Sequence, residues 1–114
     1  MSNSKYIVSF GFRFGAPKQD NILVIDVRPY LNKNPYHNKQ LRHLRGTDPE
    51  VQRDIEKTPG FEEAYANIKK QIDGFDGVVY LGCTGGRHRS VYMAERIRKE
   101  LNLPVEHRDI DRRH

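Results

Sequence analysis

Gly82-Cys83-Thr84-Gly85-Gly86-Arg87-His88-Arg89-Ser90 carries the one cysteine of the 114-residue chain. It follows an apolar run, Val78-Val79-Tyr80-Leu81, and leads into a stretch with helical periodicity. Where a strand hands over to a helix, the first helical N–H groups have no partner within the helix. Glycines let that backbone close up, and Thr84, Gly85, Gly86, Arg87, His88, Arg89 and Ser90 then form a phosphate-binding loop. The spacing C-x-x-G-x-x-R followed by Ser also suits a second chemistry. Cys83 at a helix start would be a nucleophilic thiolate, Arg89 would clamp two phosphate oxygens, and Ser90 would ease departure of the thiolate. With glycine near 7% of residues, the lone cysteine meets both partners by chance about once in 300 cases.

Two features count against turnover. Gly82 stands where cysteine phosphatases usually have histidine, and Asp26, Asp48 and Asp76 are general-acid candidates only because they are aspartates. Cys83 also reads as a small apolar residue at a strand end. The residues alone leave a phosphatase and a simple anion-binding module both open.

The elements that must hold this loop are short and alternate in type. Lys5–Phe10 and Asn21–Asp26 read as strands, the second apolar enough to be covered on both faces. Residues 29–46 carry Asn32, Asn34, Pro35 and Asn38 and read as loop with a short helical turn. Thr47-Asp48-Pro49-Glu50 is a helix start, and the helix ends near Thr58-Pro59-Gly60. A second helix runs from Phe61 to about Ile72, with Phe61, Ala64, Tyr65, Ile68 and Ile72 on one stripe. Strand 78–82 follows the turn at 73–77, and a helix from about Arg87 to Leu101 presents Val91, Ala94, Ile97 and Leu101 inward, with Arg98 at the margin. Pro104 precedes a last short strand, 105–108.

This alternation predicts one α/β domain, three-layered, with a small, mostly parallel sheet. Ligands in such sheets lie beyond the C-terminal strand ends. Phe10-Gly11, Asp26-Val27-Arg28 and Cys83 therefore fall on one rim.

The bulk properties bound the function. A chain of this length holds one domain with a modest core, here expected over about residues 5–109 with a basic tail at 110–114. Hydrophobic residues make up 36% and charged residues 31%, and no apolar run approaches the roughly 20 residues that span a bilayer. One cysteine and no leader-like start point to a reducing, cytoplasmic setting without a disulfide framework. The net charge is +5, and arginine outnumbers lysine, which points towards phosphorylated ligands or nucleic acid. The five histidines show no metal-ligand spacing, and no cofactor is implied.

Taken in order, Phe10-Gly-Phe-Arg-Phe-Gly15, Asp26-Val-Arg28, Asn34-Pro-Tyr36, Leu41-Arg42, Gly46-x-Asp48, the Cys83 loop with Glu95, and Glu106-His107-Arg108-Asp109 resemble the C-terminal domain of the RNase adapter family RapZ. The resemblance runs from about Ile7 to Asp109. It implies a sensor of glucosamine-6-phosphate that binds small regulatory RNAs and self-associates. The family's nucleotide-binding loop, G-x-x-x-x-G-K-[ST], belongs to an N-terminal kinase-like domain and has no match here, so the chain resembles a stand-alone sensor half. On that mapping Thr84, Gly85, Gly86, His88 and Arg89 hold the sugar phosphate, and Asp26, Arg28, Asn34 and Tyr36 line the same rim. Tyr36 stands where some members carry a histidine.

Basic residues outside the loop are candidates for RNA phosphates: Arg42 and Arg45 with His43, and His107, Arg108, Arg112 and Arg113 near the chain's end. Phe10, Phe12 and Phe14 alternate in a pattern that suits a sheet face in the core or an oligomer contact, with base stacking as the other use.

Overall fold

The computed structural model describes residues 5–113. Strands β1 (Ile7–Gly11), β2 (Ile22–Asp26), β3 (Val78–Cys83) and β4 (Val105–His107) form one sheet in the order β2-β3-β1-β4. Every pairing is parallel. Helices α1 (Pro49–Glu56), α2 (Phe61–Asp73) and α3 (Arg89–Leu101) complete the domain, with 3-10 turns at Phe12–Phe14 and Pro35–His37. Parallel strands need crossovers, and α1–α2 and α3 supply those from β2 to β3 and from β3 to β4.

The α2 stripe read from the sequence is buried throughout, and of the α3 stripe Val91, Ala94 and Ile97 are buried and Leu101 partly so. Tyr92 and Met93, outside that stripe, are buried as well, and Val51 and Ile55 of α1, Ile68 and Ile72 of α2, and Met93 and Ile97 of α3 join Ile7, Ile25, Val79 and Leu81 of the sheet in one core. Asp48 and Pro49 start α1 as expected. The Asp48 carboxylate, however, accepts the Arg45 N–H at 2.7 Å and caps no helical N–H. Asn102, in the left-handed conformation, ends α3.

Among the described residues no α-helix covers the opposite face. The connection from β1 to β2 crosses it, and Phe10, Phe12 and Tyr80 pack there edge to face, with the Phe10 and Phe12 rings 4.7 Å apart. This thin third layer corrects two expectations. Only Phe10 sits in a strand, because the chain turns at Gly11 and puts Phe12 and Phe14 in a 3-10 turn. Strand β2 is an edge strand and is not covered on both faces. Its Ile25 is 4% exposed and its Val24 39%, because the connection does not reach over that edge.

Neighbouring positions on β2 thus test the layer assignment. Ile25→Ala should cost about 2–5 kcal/mol in chemical denaturation, and Val24→Ala less than about 1 kcal/mol. Equal costs would mean that β2 is covered on both sides.

Candidate functional site

Parallel pairing sets Gly11 beside Cys83 and Asp26 beside Gly82, so all three strand ends open on one rim. Helix α3 begins at Arg89, two residues later than its periodicity suggests. The intervening residues 84–88 form a bent loop pinned to its neighbours. Arg13 N–H donates to the Thr84 carbonyl (3.1 Å), and Gly46 N–H donates to that of Arg87 (2.8 Å). Gly86 takes φ +74°, and a Cβ there would lie 2.6 Å from the Gly11 nitrogen. A Cβ on Gly11 would in turn lie 2.4 Å from the Gly85 carbonyl carbon. Glycine is required at both positions because two backbones touch.

Beneath the loop, Gly86 N–H donates to Cys83 Sγ at 3.3 Å, and Sγ lies 3.1 Å from Ser90 Oγ. Ser90 Oγ also donates to the Phe10 carbonyl (3.3 Å), which ties the pair to strand β1. Cys83 and Ser90 are both buried.

Above the loop lies a cavity of about 240 Å³ lined by Arg13, Asn34, Tyr36, His37, Cys83, Thr84, Gly85, Arg87, His88 and Arg89. Loop 83–89 forms its floor, and the 3-10 turn at Pro35–His37 forms a wall. Asn34 caps that turn, its Oδ1 accepting the Tyr36 N–H at 3.1 Å. Arg89 is 5% exposed. Its Nη1 donates to the Leu31 carbonyl (2.9 Å) and its Nη2 to Thr84 Oγ1 (3.3 Å), while its buried Nε has no hydrogen-bond partner among the described residues. Burial, helped by the Arg28 charge, lowers its pKa from the usual guanidinium value. Among the described residues no carboxylate lines the cavity.

The residues assigned to the site from the sequence separate into three groups. Asn34, Tyr36, Thr84, Gly85, Arg87, His88, Arg89 and Cys83 line the cavity, whereas Gly86 and Ser90 lie under it as supports. Asp26 and Arg28 stay on the rim outside the lining. Arg28 donates from Nε and Nη2 to both Asp26 oxygens (2.9 and 2.8 Å) and stacks on the Phe12 ring at 4.3 Å. That hydrogen bonding lowers the Asp26 pKa and raises that of Arg28. Arg13 and His37 join the lining without having been assigned to it. Arg13 stood in the quoted Phe-Arg-Phe run, but its approach to the loop depends on a backbone bond to Thr84 that no local pattern signals.

The basic candidates divide as well. Arg42, His43 and Arg113, with Tyr36 and Arg87, line a second hollow of about 270 Å³ that shares Tyr36 and Arg87 with the first. His107 is enclosed: Nδ1 lies 2.7 Å from Ser9 Oγ and Nε2 2.6 Å from Glu95 Oε2. Arg108 donates to Asp109 and to the Gly15 carbonyl, and Arg112 pairs with Asp109 at 2.7 Å. Arg45 pairs with Asp111 at 2.6 Å. Asp109 is fully buried and accepts the Gly11 N–H at 2.8 Å. The segment expected as a loose basic tail is therefore folded back on the rim as far as Arg112.

Burial opposes ionisation of Asp109, but Arg108, the Gly11 N–H and the Arg112 charge outweigh it and hold its pKa below the usual 3.8. A carboxylate whose folded pKa is depressed stabilises the fold above its unfolded pKa and loses that contribution as pH falls through the folded value. Wild-type stability should therefore decline below about pH 4, and Asp109→Asn should flatten that decline in acid denaturation followed by circular dichroism. An unchanged slope would mean that Asp109 is not ion-paired in solution. Gly86→Ala should cost at least about 1–3 kcal/mol in urea unfolding, against less than about 1 kcal/mol for Gly74→Ala, where a Cβ has room.

Residues 4–111 match the family of the RapZ C-terminal domain. A nucleotide-binding protein of Geotalea daltonii is 40% identical over 94% of the chain. One of Thermus thermophilus is 39% identical over 93% of it, and one of Pseudothermotoga lettingae likewise. The chain spans about 42% of the length of each of these relatives. Among the described residues no helix is long and apolar enough to cross a membrane. With the matched span covering the sheet, the loop at Cys83 and the turn at Asp109, the chain belongs to the RapZ C-terminal domain family.

Proposed function

We propose that the chain is a binding module whose cavity above loop 83–89 holds the phosphate of a small phosphorylated molecule. The observation that carries this reading is Arg89. A guanidinium buried at the floor of a cavity, with its Nε unpartnered among the described residues, carries a charge that burial disfavours. A phosphate in the cavity would offset that charge. Arg13 and Arg87 add charge of the same sign, and the start of α3 adds its dipole. A volume of about 240 Å³ is below the roughly 300–1,000 Å³ of sites for drug-sized ligands, which favours a ligand of sugar-phosphate size. Asn34, Tyr36 and His37 face its non-phosphate end. The family resemblance narrows the ligand to an amino-sugar phosphate such as glucosamine-6-phosphate, and the relatives' nucleotide-binding name is compatible with a phosphate-bearing ligand.

Phosphatase activity is the second reading: the Cys83–Ser90 contact suits it, but among the described residues no carboxylate lines the cavity as a general acid. Asp26 is held by Arg28, Asp48 by the Arg45 N–H, and Asp76 lies beyond the opposite end of β3.

RNA is the second partner under this proposal. The hollow lined by Arg42, His43, Arg87 and Arg113 supports it, because it joins the phosphate cavity through Arg87 and Tyr36. A second copy of the chain is the third, on the resemblance alone, as is a cytoplasmic setting.

Calorimetric titration with glucosamine-6-phosphate, glucose-6-phosphate and inorganic phosphate tests the leading reading. Binding should survive Cys83→Ser and weaken about ten-fold or more in Arg89→Ala. Turnover of an aryl phosphate that Cys83→Ser abolishes would establish the phosphatase instead. Gel shifts over a salt series should show Arg42→Ala and Arg113→Ala each lowering RNA affinity and the salt slope by about one. Unchanged shifts would remove the second hollow from the RNA surface.

A further inference from the structure

The C-terminal turn touches the phosphate cavity through one guanidinium. Arg87 lines the cavity, and its Nη2 donates to the Arg112 carbonyl at 2.9 Å. A weaker bond from Nη1 to the Arg42 carbonyl, 3.4 Å, fixes the other branch. Both acceptors are backbone carbonyls, which orient a guanidinium without neutralising it. Its charge is left for a ligand, and its side chain, otherwise among the most flexible, is already placed.

The Arg112 carbonyl is itself held by Asp109. Arg112 N–H donates to the Asp109 carbonyl (3.1 Å), and Arg112 Nε pairs with the Asp109 carboxylate (2.7 Å). The carboxylate also accepts the Gly11 N–H, at the strand end on which loop 85–86 rests. A Cβ on Gly86 would lie 3.0 Å from the Asp109 Cβ, so the aspartate also backs the loop itself. One buried carboxylate therefore braces the floor of the cavity and, through the turn, one of its cations. The Arg45–Asp111 pair ties the same turn to the segment before α1.

We propose that Asp109 is a positioning residue of the phosphate cavity, holding the 109–112 turn so that Arg87 and loop 85–86 are set for the anion. It touches no ligand. The proposal rests on the cavity being an anion site and adds that the site is incomplete unless this turn is docked. It also makes a prediction opposite in sign to simple electrostatics. Removing a negative charge beside a phosphate site should tighten anion binding if charge alone decides, whereas loss of a positioning group weakens it.

The test titrates inorganic phosphate into nucleic-acid-free, full-length protein at low salt, with melting temperature followed for each variant. Asp109→Asn should weaken phosphate binding about ten-fold. Asp111→Ala, which leaves the buried cluster intact and only loosens the turn, should weaken it about three-fold. Should Asp109→Asn fail to fold, Asp111→Ala decides. In an Arg87→Ala background Asp111→Ala should have no further effect, because its route passes through that guanidinium. Phosphate binding that is unchanged or tighter in these variants, with wild-type binding intact, overturns the positioning role and leaves the anion site standing. An additive loss in the Arg87→Ala background also overturns it. Absence of wild-type binding to phosphate and to the sugar phosphates alike would instead overturn the site.

Discussion

The site depends on the contact between two glycine backbones, Gly11 at the end of β1 and Gly85-Gly86 in the loop after β3. Side chains at Gly11 or Gly86 would overlap neighbouring backbone atoms by more than any small shift relieves. Because the backbones meet, the loop folds directly over the strand end. Cys83 is thereby roofed by the Gly86 N–H, Ser90 comes within reach of the Phe10 carbonyl, and Arg89 starts its helix pointing at Leu31. The cavity is the space this fold-over leaves between the loop and the 3-10 turn that Asn34 caps.

Electrostatics follows from the same packing. Arg13, Arg87 and Arg89 converge on one cavity, and repulsion among them is destabilising unless the charges are compensated or a ligand arrives. The nearby acids are each assigned elsewhere. Asp26 is closed on Arg28, and Asp109 holds Arg108 and Arg112 while bracing Gly11. Compensation is thus kept behind the cavity walls, which leaves the cavity field positive. A site so arranged favours an anion that brings its own charge and disfavours a reaction that needs a carboxylic acid within it.

Much of this was legible from residue order. The loop 83–90 announces itself by cysteine, glycine and arginine spacing, and parallel topology follows from alternating elements. That topology in turn places Gly11, Asp26 and Cys83 on one rim. What the sequence withheld depends on contacts between distant segments. Asp26-Val-Arg28 reads as ligand wall, yet aspartate and arginine two residues apart at a strand end satisfy each other first. The ending 110–114 reads as a basic tail, yet the buried Asp109 just before it pairs with Arg112 and holds the turn onto the rim. His107 shows the same limit: its pairing with Glu95 and Ser9 spans α3, β4 and β1, and no local pattern encodes it.

The phosphatase-like spacing has its own physical explanation. Any strand-to-helix loop that wraps an anion needs a small residue at the strand end, a glycine where backbones meet and a cation at the helix start. Those needs alone generate the cysteine, glycine and arginine positions. Catalysis adds further demands: a sulfur whose lone pair faces the phosphorus and an acid placed for the leaving group. Here Cys83 Sγ lies 3.1 Å from Ser90 Oγ, which donates to the Phe10 carbonyl, so these contacts tie the loop to strand β1. Under the proposed reading the spacing of the loop serves to hold an anion, and the spacing by itself does not require that the anion be cut.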